Sequence, residues 1–244
     1  MAARGSNFDW SSLDRNSLAS YLWLIAPKIV NQSLSVDKFH NTISKHLKSY
    51  IPIRISKSYD PKTISNGILI GGCYYSSYDE SYKNSIELML VYNPIDEVLK
   101  INKSRFQRIC MGVADTMLHE IIHMRQYRRR EFKQLPDYAS NASRDNQREE
   151  QAYLGCSDEI DAYGFNIACE LLDKNNNDPD AVIKHLDINQ KGLRRKYDSW
   201  RMYLKAFSHD HDHIIIKRLK KKIIRYLPAA AIGKPYRNKD WICY

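Results

Sequence analysis

No apolar stretch in this chain is long enough to cross a bilayer. The longest runs, such as residues 21–26 and the stretch 86–92 that Glu87 interrupts, fall far short of the ~20 residues that a transmembrane helix needs. The opening residues carry no basic segment followed by an apolar one, because Asp9, Asp14 and Arg15 interrupt them early, so a secretory signal peptide is not expected and a cytoplasmic location is. Cysteines are few and unpaired by spacing. Cys73, Cys110, Cys156, Cys169 and Cys243 are odd in number and form no C-x-x-C motif, which argues against both a disulfide framework and a thiolate zinc site. There is no internal repeat and no low-complexity tract.

What is present is an ordinary globular composition with a basic bias. The 244 residues are 43% hydrophobic and 27% charged, enough for one sizeable core with appended helices. Lys plus Arg number 38 against 28 Asp plus Glu, a net charge of +10. The excess is concentrated in two places. Arg125, Arg128, Arg129, Arg130 and Lys133 lie within residues 125–133, and Lys217, Arg218, Lys220, Lys221, Lys222 and Arg225 lie within residues 217–225. Either cluster suits an anionic partner, nucleic acid or acidic protein, although basic helix faces in water are the commoner use of such charge. Ile214, Ile215, Leu219, Ile223, Ile224 and Leu227 interleave with the second cluster, so an amphipathic helix is expected there.

Periodicity organises the chain as α+β. Residues 17–30 have helical apolar spacing, and Ser35 can cap a second helix running to Leu47. Ile51, Ile53 and Ile55 then alternate with polar residues, predicting an edge strand that tolerates Pro52. Asn66-Gly67 marks a turn, residues 67–75 and 85–92 read as strands joined by a hairpin across 76–84, and Asn93-Pro94 ends the sheet. From Ser104 the period is helical again. Ser104 and Gln107 fit a capping box, and Phe106, Ile109, Cys110, Val113, Met117 and Ile121 share one face of a helix expected to reach about residue 130. Residues 135–148 read as a loop, 149–173 as a helix, and Asp178-Pro179-Asp180 as the start of another. Residues 193–207 and 213–226 complete a helical C-terminal part.

The chemistry concentrates on the long helix. His119-Glu120-Ile121-Ile122-His123 places two imidazoles four residues apart on one face, where both can reach one ion. Glu120 lies about 100° round the helix, able to face a water at the metal without ligating it. Leu118, Ile121 and Ile122 would exclude solvent. A catalytic zinc commonly takes a third protein ligand. Candidates are His185, the His209/His211/His213 cluster, Glu149, Glu150 and Glu159. Glu159 is preferred, because it sits on the next expected helix, where Ala162 and Gly164 would allow close approach to the first. Glu149 and Glu150 read as exposed first-turn carboxylates, and the alternating His-Asp tract at 209–213 as a polar linker.

The pattern His119-Glu120-x-x-His123 followed by Glu159 resembles the gluzincin branch of HExxH zinc metallopeptidases. Glu159-Ile160-Asp161-Ala162-x-x-Phe165, with Leu171-Leu172 behind it, is similar to the glutamate helix of small bacterial and phage zincins of the ImmA/IrrE kind. The resemblance spans residues 67–172, and departs from the larger gluzincins at Tyr163, where they carry Asp. It implies a zincin-like domain: a small sheet of about three strands, a long HExxH helix and a glutamate-bearing helix, with extra helices at both ends. The corresponding division is 1–50 as an N-terminal helical segment, 51–175 as the metallopeptidase domain and 176–244 as a basic helical segment packed on it. It also implies a Zn²⁺ cofactor, a protein or peptide substrate, and, for a phage protein, host cytoplasm or virion as location.

Under this reading His119, His123 and Glu159 hold zinc and Glu120 is the catalytic base. Asp115, one turn before His119, is a candidate to orient a ligand imidazole, and Tyr153 and Tyr163 are candidate oxyanion donors. Two other readings stand beside it: a non-catalytic component of a larger, phage-type assembly built on the same scaffold, and a basic nucleic-acid-associated protein with an accessory metal site.

Overall fold

A computed structural model describes residues 8–76, 85–137, 146–187 and 198–235. After a 3-10 turn at Trp10–Ser12 come α1 (Arg15–Trp23), α2 (Ala26–Ile29), β1 (Ser33–Ser35) and α3 (Val36–Tyr50). Strands β2 (Arg54–Tyr59), β3 (Ile68–Tyr75), β4 (Ser85–Tyr92) and β5 (Val98–Lys100) follow. The remainder is helical: α4 (Lys103–Arg129), α5 (Gln147–Gly155), α6 (Ser157–Lys174), α7 (Pro179–Asp187), α8 (Asp198–Ala206) and α9 (Ile214–Ala230). The fold class is therefore α+β. Contacts group the chain into two compact units, Met1–Met124 and Arg125–Tyr244, and the division falls inside α4.

In the first unit, β4 is the centre of a three-stranded sheet of order β2-β4-β3. Its alternation is what buries it: Ile86, Leu88, Leu90 and Tyr92 all face the core, while the residues between them do not. β3 pairs with it antiparallel, Tyr75 opposite Ser85, and β2 pairs with it parallel, Arg54 opposite Glu87. The hairpin connection expected at 76–84 lies outside the described residues beyond Ser76. β2 begins three residues later than the alternation from Ile51 predicts. Ile51 and Ile53 are buried, but they belong to the segment that leaves α3, and Pro52 has no N–H to give a ladder. A second, two-stranded sheet pairs β1 with β5 antiparallel. Three-residue strands carry too little pattern to be read locally.

Two helix boundaries differ from their expected positions in this unit. The apolar stretch at 17–30 is broken into α1 and α2, because Pro27 cannot donate back to the preceding turn. Asn102, not Ser104, starts α4. Its Oδ1 accepts from Arg105 N at 2.9 Å and its carbonyl from Phe106 N at 2.9 Å, so the helix opens one residue before the expected capping serine. Ser35 does cap α3 as expected, accepting from Lys38 N.

The second unit is built on α6. It lies against α5, α7, α8 and α9, and is buried on most of its circumference, which explains why apolar and small residues dominate it from Ile160 to Leu172, with Asp161, Asn166 and Glu170 between them. The single helix expected over 149–173 is two helices. Cys156 takes an extended conformation (φ −68°, ψ 149°), ending α5 and capping α6. Asp137 takes over the capping bond from a distance: its Oδ2 accepts from Ser157 N at 3.0 Å and Ser157 Oγ at 2.8 Å. Gly164 is needed for α9 to approach, since a Cβ there would meet Lys222 Cβ at 2.8 Å. Its small size serves that contact, where the sequence suggested approach to the long helix. Of the expected helix over 193–207, residues 193–197 lie outside the described residues. Among the described residues no helix is long and apolar enough to cross a membrane.

Candidate metal centre

His119 and His123 project from adjacent turns of α4, as residues four apart must. Their Nε2 atoms are 3.0 Å apart, and the ring planes meet at 76°. If one Nε2 carries a proton this is a hydrogen bond. With both protons on Nδ1, it is a pair of lone pairs converging on one point, the state a cation requires. His119 is buried and His123 half-buried.

Glu159 completes the group. One ligand atom from each of His119, His123 and Glu159 lies within 4.8 Å of the other two. A tetrahedral ion with bonds of about 2.1 Å holds its donors about 3.4 Å apart, so small side-chain rotations suffice to close this set round one ion. Two imidazoles with one carboxylate suit zinc and neighbouring transition metals, and do not suit calcium or magnesium, which want oxygen donors. Among the described residues no other His, Cys, Asp or Glu trio converges in this way. His185 and the 209–213 tract are thus not drawn into such a group. His213 instead caps α9, accepting from Ile215 N at 3.2 Å. Glu149 stands exposed in the first turn of α5, where Asn146 Nδ2 donates to it.

The position of Glu159 follows from its neighbours. The break at Cys156 puts it in the first turn of α6, where the helix dipole favours a carboxylate. Asp158, one residue before, is buried and is gripped by Arg130 through two 2.7 Å bonds. Gln126 Nε2 donates to the Asp158 carbonyl at 3.0 Å and reaches Asp161 Oδ2 at 3.3 Å. Lys222 Nζ donates to Asp161 Oδ1 at 2.5 Å. Gln126 lies on the helix that carries both histidines, less than one turn beyond His123. The start of the glutamate helix is thereby tied to the end of the histidine helix.

Glu120 is buried, and sits where strand β3 makes room for it. A Cβ on Gly72 would lie 2.7 Å from Glu120 Cγ, 2.7 Å from Glu120 Oε1 and 2.7 Å from Thr116 Cγ2. On the other side of this contact, a Cβ on Gly112 would meet Ile70 Cδ1 at 3.0 Å. Two glycines, one on each element, let α4 and β3 meet at this distance.

The remaining expected residues have identified surroundings. Asp115 accepts from Arg15, Nε to Oδ1 at 2.5 Å and Nη2 to Oδ2 at 3.0 Å, tying α1 to α4. Tyr163 is half-buried with its ring edge-on to Tyr203, centroids 5.4 Å apart, and Tyr153 is half-buried on α5. Tyr203, with Trp200 and Phe207, reads from the sequence as core packing, and all three are buried. Tyr203 is fully buried, donates to Leu154 O at 3.1 Å, and is held neutral by burial first and the Glu159 carboxylate next. Burial pushes the neighbouring Cys156 thiol up to about 11. Gly72, Gln126 and Asp158 were missed, and Arg130, read as part of a basic cluster for an anionic partner, is bonded to Asp158 instead. A Gly-Gly pair inside a strand is the one local signal that pointed to any of them. No family model, curated protein or solved structure matches this chain.

Proposed function

We propose that the chain is a zinc-dependent metallopeptidase of zincin-like fold, with His119, His123 and Glu159 as ligands and Glu120 as general base. The observation that carries this reading is the convergence of two imidazoles and one carboxylate at mutual distances within 4.8 Å, with Glu120 buried next to His119. A structural metal site needs no carboxylate beside its ligands. A hydrolytic one does.

A bound zinc ion would supply a Lewis acid that polarises a peptide carbonyl and brings the pKa of water to about 7. The residues of the chain do the rest. His119, His123 and Glu159 would hold the ion through one donor atom each, the three-ligand set that catalytic zinc commonly takes. Glu120, held against Gly72 and Thr116, accepts a proton from the attacking water and returns it to the departing amine. Its burial keeps bulk water from competing for that proton. Arg130 and Gln126 hold the first turn of α6, so Glu159 need not be ordered when metal binds.

The test is elemental analysis of the purified full chain together with cleavage of fluorescent casein. About one zinc per chain is expected, lost in His119→Ala, His123→Ala and Glu159→Ala. Glu120→Gln should keep the zinc and lower cleavage by about 100-fold or more. A folded wild-type chain that takes up no zinc ends the proposal. Zinc retained with equal cleavage in wild type and Glu120→Gln removes the base from Glu120.

A further inference from the structure

Helix α9 divides sharply round its circumference. Ile216, Leu219, Ile223, Leu227 and Ala230 are buried, and α9 packs with this side on α6. The exposed residues are Ile214, Lys217, Arg218, Lys221, Ile224, Arg225 and Pro228. At 100° per residue these seven fall within an arc of about 120°, along about 21 Å of helix. The arc holds four cations, two isoleucines and a proline, and α9 contains no acidic residue at all. Ile214 is 65% exposed, Ile224 43%, and Ile232, just beyond the helix, 59%.

The apolar stripe of this helix is already used, so the outer arc is not what folds the domain. Two of its cations have local roles: Lys217 pairs with Asp212 at 2.9 Å, and Arg218 donates to Ser157 Oγ at 2.9 Å. Lys221 and Arg225 have no hydrogen-bond or ion-pair partner among the described residues. An exposed isoleucine flanked by such cations gains nothing in water. It does gain at a surface that is both negative and able to take up an alkyl side chain. Nucleic acid phosphates satisfy the first condition only. The first basic cluster differs from α9 in just this respect. Arg125 is buried, Arg130 is spent on Asp158, and only charge is exposed at Arg128 and Arg129.

We propose that the outer face of α9 is a docking surface for an anionic lipid bilayer, with the helix lying flat on the headgroups. Lys217, Lys221 and Arg225, each four residues apart, meet the acidic headgroups, while Ile214 and Ile224 enter the headgroup–acyl boundary at either end. This would hold the unit built on α6 at a membrane surface through one face of a helix.

The test is co-sedimentation of the full chain with vesicles of phosphatidylcholine alone and of phosphatidylcholine mixed with phosphatidylserine. Binding is expected with the mixed vesicles only, weakening as salt rises. The double variant K221E/R225E should bind at least about tenfold more weakly, since each cation near such a surface contributes about fivefold. The variant I214S/I224S should keep the salt-sensitive attraction and lose the part that survives high salt. Both pairs are exposed, so thermal melts should stay at the wild-type value and exclude misfolding as the cause. No sedimentation with phosphatidylserine vesicles overturns the proposal, as does sedimentation that neither double variant changes. Tight binding to duplex DNA lost in K221E/R225E and unaffected by I214S/I224S, with no vesicle binding, would assign the face to nucleic acid instead.

Discussion

Arg130 holds Asp158 in a two-pronged ion pair, 2.7 Å on each side, one residue before the glutamate that joins the histidine pair. The Asp158 side chain is 10% exposed and that of Arg130 21%. The guanidinium also lies over the Tyr127 ring, 5.0 Å from its centroid. A sparsely solvated carboxylate in this setting depends on its partner.

Removing that partner should be costly. Arg130→Ala is expected to destabilise the fold by about 3 kcal/mol, because it strands a buried charge rather than deleting a surface one. It should also weaken zinc binding by about tenfold, through looser placement of Glu159. Urea denaturation of the metal-free chain and zinc titration measure the two effects separately. Wild-type stability in Arg130→Ala would mean the pair is idle.

Gly72→Ala addresses the proposed base, Glu120, without touching the three candidate ligands. The added Cβ must displace Glu120 or Thr116, both contacted at 2.7 Å. Zinc content should be unchanged, while casein cleavage drops by about 100-fold, the usual penalty for a reacting group moved by about 1 Å. The strain should lower stability by about 1–3 kcal/mol. Full cleavage by this variant would mean that Glu120 has room to spare.

Arg15 and Asp115 offer a double-mutant cycle. Their side chains are 8% and 29% exposed, and they are bonded at two points. Arg15→Ala, Asp115→Ala and the double variant should reveal a coupling of about 1–3 kcal/mol. Zinc content that falls in Asp115→Ala but not in Arg15→Ala would show that Asp115 orients a ligand imidazole as well as binding Arg15.

His40 gives the fold a pH dependence of its own. Burial, then Lys57, holds its imidazole below the ordinary 6.5. Just below that pH the unfolded chain has taken up a proton that the folded chain refuses, so stability is complete above about 6.5 and falls as pH drops through it. Below the depressed folded value the loss levels off. His40→Gln should show a smaller loss than wild type over the same acid range in urea midpoints. Identical pH profiles would contradict this assignment.

Much of this was readable one segment at a time. Alternation at Ile86, Leu88, Leu90 and Tyr92 specifies a half-buried strand, the run from Phe106 to Ile121 specifies a helix, and a four-residue interval between His119 and His123 puts both rings on one side of it. These follow from the repeat of the backbone itself, so no distant residue can alter them. Ser35 as a cap and Asp178-Pro179 as a helix start are equally local.

Tertiary structure decided the rest, wherever two segments compete or meet. Cys156 could continue a helix as well as end one, and the bonds from Ser157 to Asp137, twenty residues away in sequence, support the break that starts α6 just before Glu159. The parallel pairing of β2 with β4, the gap at Gly72 that admits Glu120, and the commitment of Arg130 to Asp158 instead of solvent depend on partners that no local period encodes. Side-chain spacing along a helix is set by its own geometry, whereas the start of α6, and with it the place of the candidate ligand Glu159, is set by contacts between segments distant in sequence.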